Sequence, residues 1–152
     1  MKATIIVSIT CLLILNQSWT QGTGIEDKIK EVFDGRTPCQ ELAKQLNETT
    51  IPECIKIKWR LTLYKESAES NNGEYTLEGF VFRKDRILKG SWRTMKGATS
   101  DPDAIVYSLE RENQAILYLL KADENVLFFL DKGKNIMVGN RNFSYTLNRV
   151  SE

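Results

Sequence analysis

The chain has 152 residues, 41% of them hydrophobic and 27% charged, which suits one globular domain. Its 21 lysines and arginines against 20 acids leave a net charge of +1, so there is no electrostatic case for nucleic acid or an anionic membrane as the main partner. Histidine is absent, which excludes triad hydrolases and histidine-based metal enzymes.

Met1-Lys2 leads into an apolar run from Ala3 to Leu15, followed by the polar, small-residue stretch Asn16 to Gly22. This order predicts a secretory signal peptide over residues 1–20, cleaved after Thr20. The run is shorter than the ~20 residues a membrane span needs, so the mature chain is expected to carry no transmembrane segment. Cys11 lies inside the run and reads as an apolar residue of the leader, not as a lipid attachment point. Residues 21–152 then form a single exported domain, periplasmic or secreted, and loss of Lys2 leaves it with equal numbers of bases and acids.

Of three cysteines, Cys39 and Cys54 remain after cleavage. An exported chain with two cysteines favours a disulfide between them, the alternative being free thiols that await a metal.

Ile25, Ile29, Val32 and Phe33 recur at helical spacing and predict a short amphipathic helix stopped by Gly35. A second start signal follows, with Thr37 as N-cap, Pro38 in the first helical position and Gln40 completing a capping box. Cys39, Leu42, Ala43 and Leu46 then share one face of a second short helix. After Pro52 the chain changes period. From Ile55 to Tyr64 the apolar Ile55, Ile57, Trp59, Leu61 and Leu63 alternate with Lys56, Lys58, Arg60 and Thr62, the pattern of a half-buried strand with one basic face.

Strands and turns continue from there. Glu74–Arg83 carries Tyr75, Leu77 and Val81 on one face and turns at Lys84-Asp85-Arg86 into Ile87–Met95, which contains Trp92. A turn-rich link over Gly97–Asp103 leads to Ala104–Glu110, where Ile105, Tyr107 and Leu109 alternate. Ala115–Lys121 and Val126–Leu130 are apolar on both faces, which predicts cover on both sides, supplied by the N-terminal helices. Ile136–Val138 and Phe143–Val150 complete about eight strands at roughly ten-residue spacing. The fold class expected is mainly β: an up-and-down, antiparallel, lipocalin-like barrel preceded by two short helices. An open sandwich is the second architecture.

Thr37-Pro-Cys39, Glu53-Cys54, Leu61-Thr-Leu-Tyr64, Gly73-x-Tyr75-Thr-Leu77, Gly90-Ser-Trp92 and Leu127-Phe-Phe-Leu-Asp131-x-Gly133 together resemble the NlpE N-terminal-like family, copper-resistance and envelope-stress lipoproteins of Gram-negative bacteria. The resemblance runs from Thr37 to Gly133 and implies a lipocalin-type barrel in the bacterial envelope, with a role in copper or stress response. The family pattern has a Pro-Cys-x-x-Cys loop before its first strand. Here Cys39 and Cys54 stand apart, a spacing that suits a staple more than a metal clip. A bacterial source would leave the sequons Asn47-Glu48-Thr49 and Asn142-Phe143-Ser144 without significance.

Asp101, Asp103, Asp123, Glu124 and Asp131 fall in turns and read as solvated, and no EF-hand loop, phosphate-cradling glycine loop or nucleophile elbow is present. The chain is therefore expected not to be an enzyme and to carry no cofactor or metal; were copper held, its soft ligands would come from Cys39, Cys54, Met95 and Met137. Trp59, Leu61, Leu63, Tyr75, Trp92, Tyr107 and Leu119 are the side chains expected to face the barrel interior. There they either line a cavity for a small apolar ligand or fill a core, and eight-stranded barrels do both. The functional expectation is a non-enzymatic envelope protein that binds a small apolar ligand or an envelope partner. The alternative is a structural or protein-interaction domain with a filled barrel.

Overall fold

The computed structural model describes residues 28–48, 51–79 and 87–151. The expected signal peptide, Val81 and the turn Lys84–Arg86 lie outside them. Eight strands close into an antiparallel barrel in the order of the chain: β1 (Ile29–Pro38), β2 (Lys56–Lys65), β3 (Asn72–Gly79), β4 (Ile87–Ala98), β5 (Asp101–Arg111), β6 (Gln114–Lys121), β7 (Val126–Leu130) and β8 (Thr146–Val150). The alternation of β2 is realised over its middle, with Ile57, Trp59, Leu61 and Leu63 buried and Lys56, Lys58 and Arg60 exposed. Ile55, however, precedes the strand and is exposed, and Thr62, expected on the wet face, is buried. Lys56, Lys58 and Arg60 thus turn outward while the buried apolar side chains of β2 turn into the barrel. Among the described residues no helix is long and apolar enough to cross a membrane.

The first predicted helix is a correction. Residues Ile29, Val32 and Phe33 belong to β1, and Gly35, expected as its stop, lies mid-strand. The helical spacing arose because Val32 and Phe33 are both buried, one on each face: Phe33 points into the barrel opposite Leu61, while Val32 lies outside beside Val150. β1 pairs β2 over ten positions and β8 over four, so this segment is the strand that closes the barrel.

One short helix, α1 (Gln40–Gln45), follows, and its N-cap is Cys39, not Thr37. Thr37 and Pro38 end β1 instead. The hydroxyl of Thr37 accepts a hydrogen bond from the Trp59 indole N–H at 2.8 Å, and the Gln40 amide donates to the Ile51 carbonyl at 3.2 Å, so neither builds the capping box. Long-range partners outbid the local motif.

Strands β4 to β7 lie where expected, whereas β8 begins only at Thr146, so Phe143 and Tyr145 of the expected final strand precede it. Only Thr99 and Ser100 of the predicted link Gly97–Asp103 lie outside strands. The β5–β6 turn is Glu112–Asn113, whose φ values of 52° and 62° are those of a two-residue hairpin that matches strand twist. Ile136–Val138 is not a strand; Ile136 makes a single bridge to Leu130.

The cover over β6 and β7 also differs from expectation. The turn Asp131–Asn135 folds back over the outer face, and Thr99 donates through its N–H to the Lys134 carbonyl at 3.0 Å and through its hydroxyl to Gly133 at 2.8 Å. Beneath it a second small core forms from Ala98, Val106 and Leu130, with Tyr118 and Leu120 against them. The N-terminal segment does not serve here because it is needed as β1.

Candidate functional site

The seven side chains predicted to face inward all do so. Trp59, Leu61, Leu63, Tyr75, Trp92, Tyr107 and Leu119 are buried members of one core cluster, with Phe33, Leu109, Leu117, Leu127, Phe129 and Leu147 between them. The strand registers explain how large rings fit. Trp59 lies opposite Gly35 on β1 and Gly79 on β3, Trp92 opposite Gly73, and Tyr75 opposite Gly90. A Cβ at Gly79 would come within 2.9 Å of Trp59 Cε3, and one at Gly73 within 2.9 Å of Trp92 Nε1. Each aromatic therefore occupies the space that its opposite glycine leaves, and the rings meet one another: Trp92 and Tyr107 edge to face at 5.3 Å, Trp59 and Phe129 tilted at 5.8 Å. The interior is packed by this complementarity of large and absent side chains.

Among the described residues, side chains occupy both ends of the barrel. At one end Leu42 of α1 enters the main core, with Leu46 against it, and Gln45 donates to the Leu130 carbonyl at 3.2 Å. The disulfide Cys39–Cys54, with Cα atoms 5.8 Å apart, ties the start of this plug to the lead of β2. At the other end the inward row continues into charge. Lys65 follows Leu63 in the same phase, and its ammonium lies 2.9 Å from the Glu31 carboxylate; these side chains are only 9% and 12% exposed. Arg149 stands 3.7 Å from the other oxygen of Glu31, Lys121 donates to Glu124 at 2.6 Å, and the Lys65 ammonium lies 5.8 Å from the Trp92 ring centre. Burial pushes the Tyr107 hydroxyl pKa up, and the Lys121 charge opposes it. The hydrogen bond to Glu124 in turn holds the Lys121 ammonium pKa above its usual value.

This charged mouth was absent from the sequence expectations, although the alternation contains its signal. Lys65 and Lys121 each come two residues after a buried leucine and so extend the inward face.

The remaining expectations fall apart in space. The sulfurs of Cys39 and Cys54 are bonded to each other, Met95 belongs to the outer cluster and Met137 packs on the main core. Among the described residues no group of three or more histidine, cysteine, aspartate and glutamate side chains is placed to hold a metal. Asp101 and Asp103, expected in a turn, begin β5, where Asp101 accepts the Asp103 N–H. Asp123 and Asp131 accept backbone N–H groups within their own turns, from Asn125 and Asn135. The bond from the Asn135 N–H favours the charged form of Asp131 and holds its carboxyl below the usual range.

On the outer face, a groove of about 480 Å³ opens between β1 and the segment leading into β8, bordered by Arg36, Lys58, Asn142, Phe143 and Asn148. Asp34, also at its edge, is held by Arg60 through two bonds of 2.9 and 2.8 Å, and this guanidinium lowers the Asp34 pKa. Compared with family models, with curated proteins and with solved structures, the chain matches none.

Proposed function

We propose that this chain is an exported, non-enzymatic barrel protein of NlpE-like type that acts through its outer surface, as an interaction domain for an envelope protein. The observation that carries the reading is the packed interior. Trp59, Tyr75 and Trp92 fill the space opposite glycines, and α1 and the Glu31–Lys65 pair occupy the two ends. A lipocalin-like barrel without interior room has its outer face left for recognition. The leader-like apolar run and the Cys39–Cys54 bond support export. With both cysteine sulfurs consumed and the two methionines in separate clusters, copper handling is the weaker part of the family resemblance.

Native mass spectrometry of freshly purified protein tests this reading. The expected spectrum shows the polypeptide alone. A lipid-sized molecule that co-purifies and is released on unfolding would sink the filled-barrel reading and restore the ligand carrier.

A further inference from the structure

The two ladders of β1 have unequal lengths. β2 accompanies it from Ile29 to Pro38, whereas β8 pairs only Val32 to Gly35. At Gly35 the two strands are so close that a Cβ would meet the Thr146 carbonyl and the Leu147 side chain. Beyond it no strand pairs with Arg36–Pro38 on the β8 side among the described residues, and the groove occupies that seam. A short length of β1 is thus left as a sheet edge in an otherwise closed barrel.

The charge along this edge has one sign. Arg36 and Lys58 are direct cross-strand partners on the outer face, both exposed, a pairing that costs stability when nothing neutralises it. Neither side chain makes a hydrogen bond or ion pair among the described residues. The carboxylate on that face of β1, Asp34, is engaged by Arg60. Lys56 continues the row opposite Pro38, its ammonium 5.8 Å from the centre of the Phe143 ring. A free strand edge, an unneutralised basic row and a half-buried aromatic ring together describe a site for an extended anionic chain.

We propose that the groove binds an acidic peptide segment of a partner protein, which adds a short strand to β1 and places carboxylates on Arg36 and Lys58. Side chains of an added strand alternate, so acidic residues would face the basic row while those between them, small or apolar, turn toward Trp59 and Phe143. The inference rests on the reading of the barrel as an outer-surface interaction domain and names the surface.

The test is anisotropy titration of a fluorescent Glu-Val-Glu-Val-Glu peptide with the full chain. Saturable binding that weakens with salt is expected, together with loss of about tenfold or more in Arg36→Glu and Lys58→Glu. A Lys-Val-Lys-Val-Lys peptide should not bind, and N-methylation of the acidic peptide's backbone should weaken it. Arg36→Gln and Lys58→Gln should also weaken binding yet unfold at the wild-type temperature or above it, since they break no hydrogen bond or ion pair among the described residues, so that lost binding there is not lost folding. The inference is overturned by no saturation at millimolar peptide, by equal binding to Arg36→Glu, or by equal competition from inorganic phosphate or anionic vesicles at matched charge. A co-purifying lipid would instead strike the filled-barrel reading, which leaves the two failures distinguishable.

Discussion

The Tyr75 hydroxyl is the buried polar group that the packing leaves unserved. It is enclosed in the core without a hydrogen-bond partner among the described residues, and burial pushes its pKa up to about 12. Tyr75→Phe removes an unpaired polar atom and leaves the ring, so it should stabilise the fold by about 1 kcal/mol at neutral pH, measured by urea unfolding. The sign of the pH effect follows from the raised pKa. The unfolded state releases this proton near pH 10 and the folded state only near 12, so the tyrosine's contribution is lost as pH rises through that window. The variant's advantage should therefore widen above pH 10; an unchanged difference would mean that the hydroxyl is solvated. Thr37 teaches the complementary lesson. Its neighbours spell a helix cap, yet its oxygen serves a tryptophan 22 positions away, and no local motif foretells that bond.

At the scale of elements, α1 has six residues, too short to hold its helix without tertiary contacts. What holds it is Leu42 in the core and the bond from Cys39 to Cys54. In the chain-entropy account a loop of this length contributes ~3 kcal/mol. Replacing both cysteines by serine should lower stability by about that much, and hydrogen exchange should show the amides of α1 opening before those of β2. If α1 remains as protected as the strands, the helix does not need the staple. The expectation of export and the count of two cysteines made this pairing legible, and the alternation from Lys56 to Arg60 made the strand of β2 legible, though not the exposure of Ile55 or the burial of Thr62. β1 was illegible because Val32 and Phe33 are buried on opposite faces, which imitates helical spacing. The cover over β7 was illegible because it depends on Gly133 and Lys134 meeting Thr99 across the sheet.

For the whole molecule, closure depends on β1 touching β2 and β8 at once, and Gly35 is where this contact is tightest. Gly35→Ala would drive a methyl group into the Thr146 carbonyl and Leu147. It should cost about 3 kcal/mol in urea unfolding, an overpacking effect, and loosen the β1–β8 seam before the rest. Wild-type stability in that variant would mean the seam yields easily. The sequence by itself determined a meander of strands, marked seven side chains of β2 to β6 as inward and favoured a Cys39–Cys54 bond over free thiols, because alternation, turn residues and cysteine count act over short stretches. Its total of eight strands held only because β1, read as a helix, takes the place of Ile136–Val138. Only the tertiary structure decided that large rings pack against opposite glycines, that β1 is a strand, and that the Glu31–Lys65 pair stands at one mouth. Those outcomes depend on which side chain stands opposite which: a tryptophan fills a barrel when its neighbours across the ladder are glycines, and register is a relation between strands that no single strand contains.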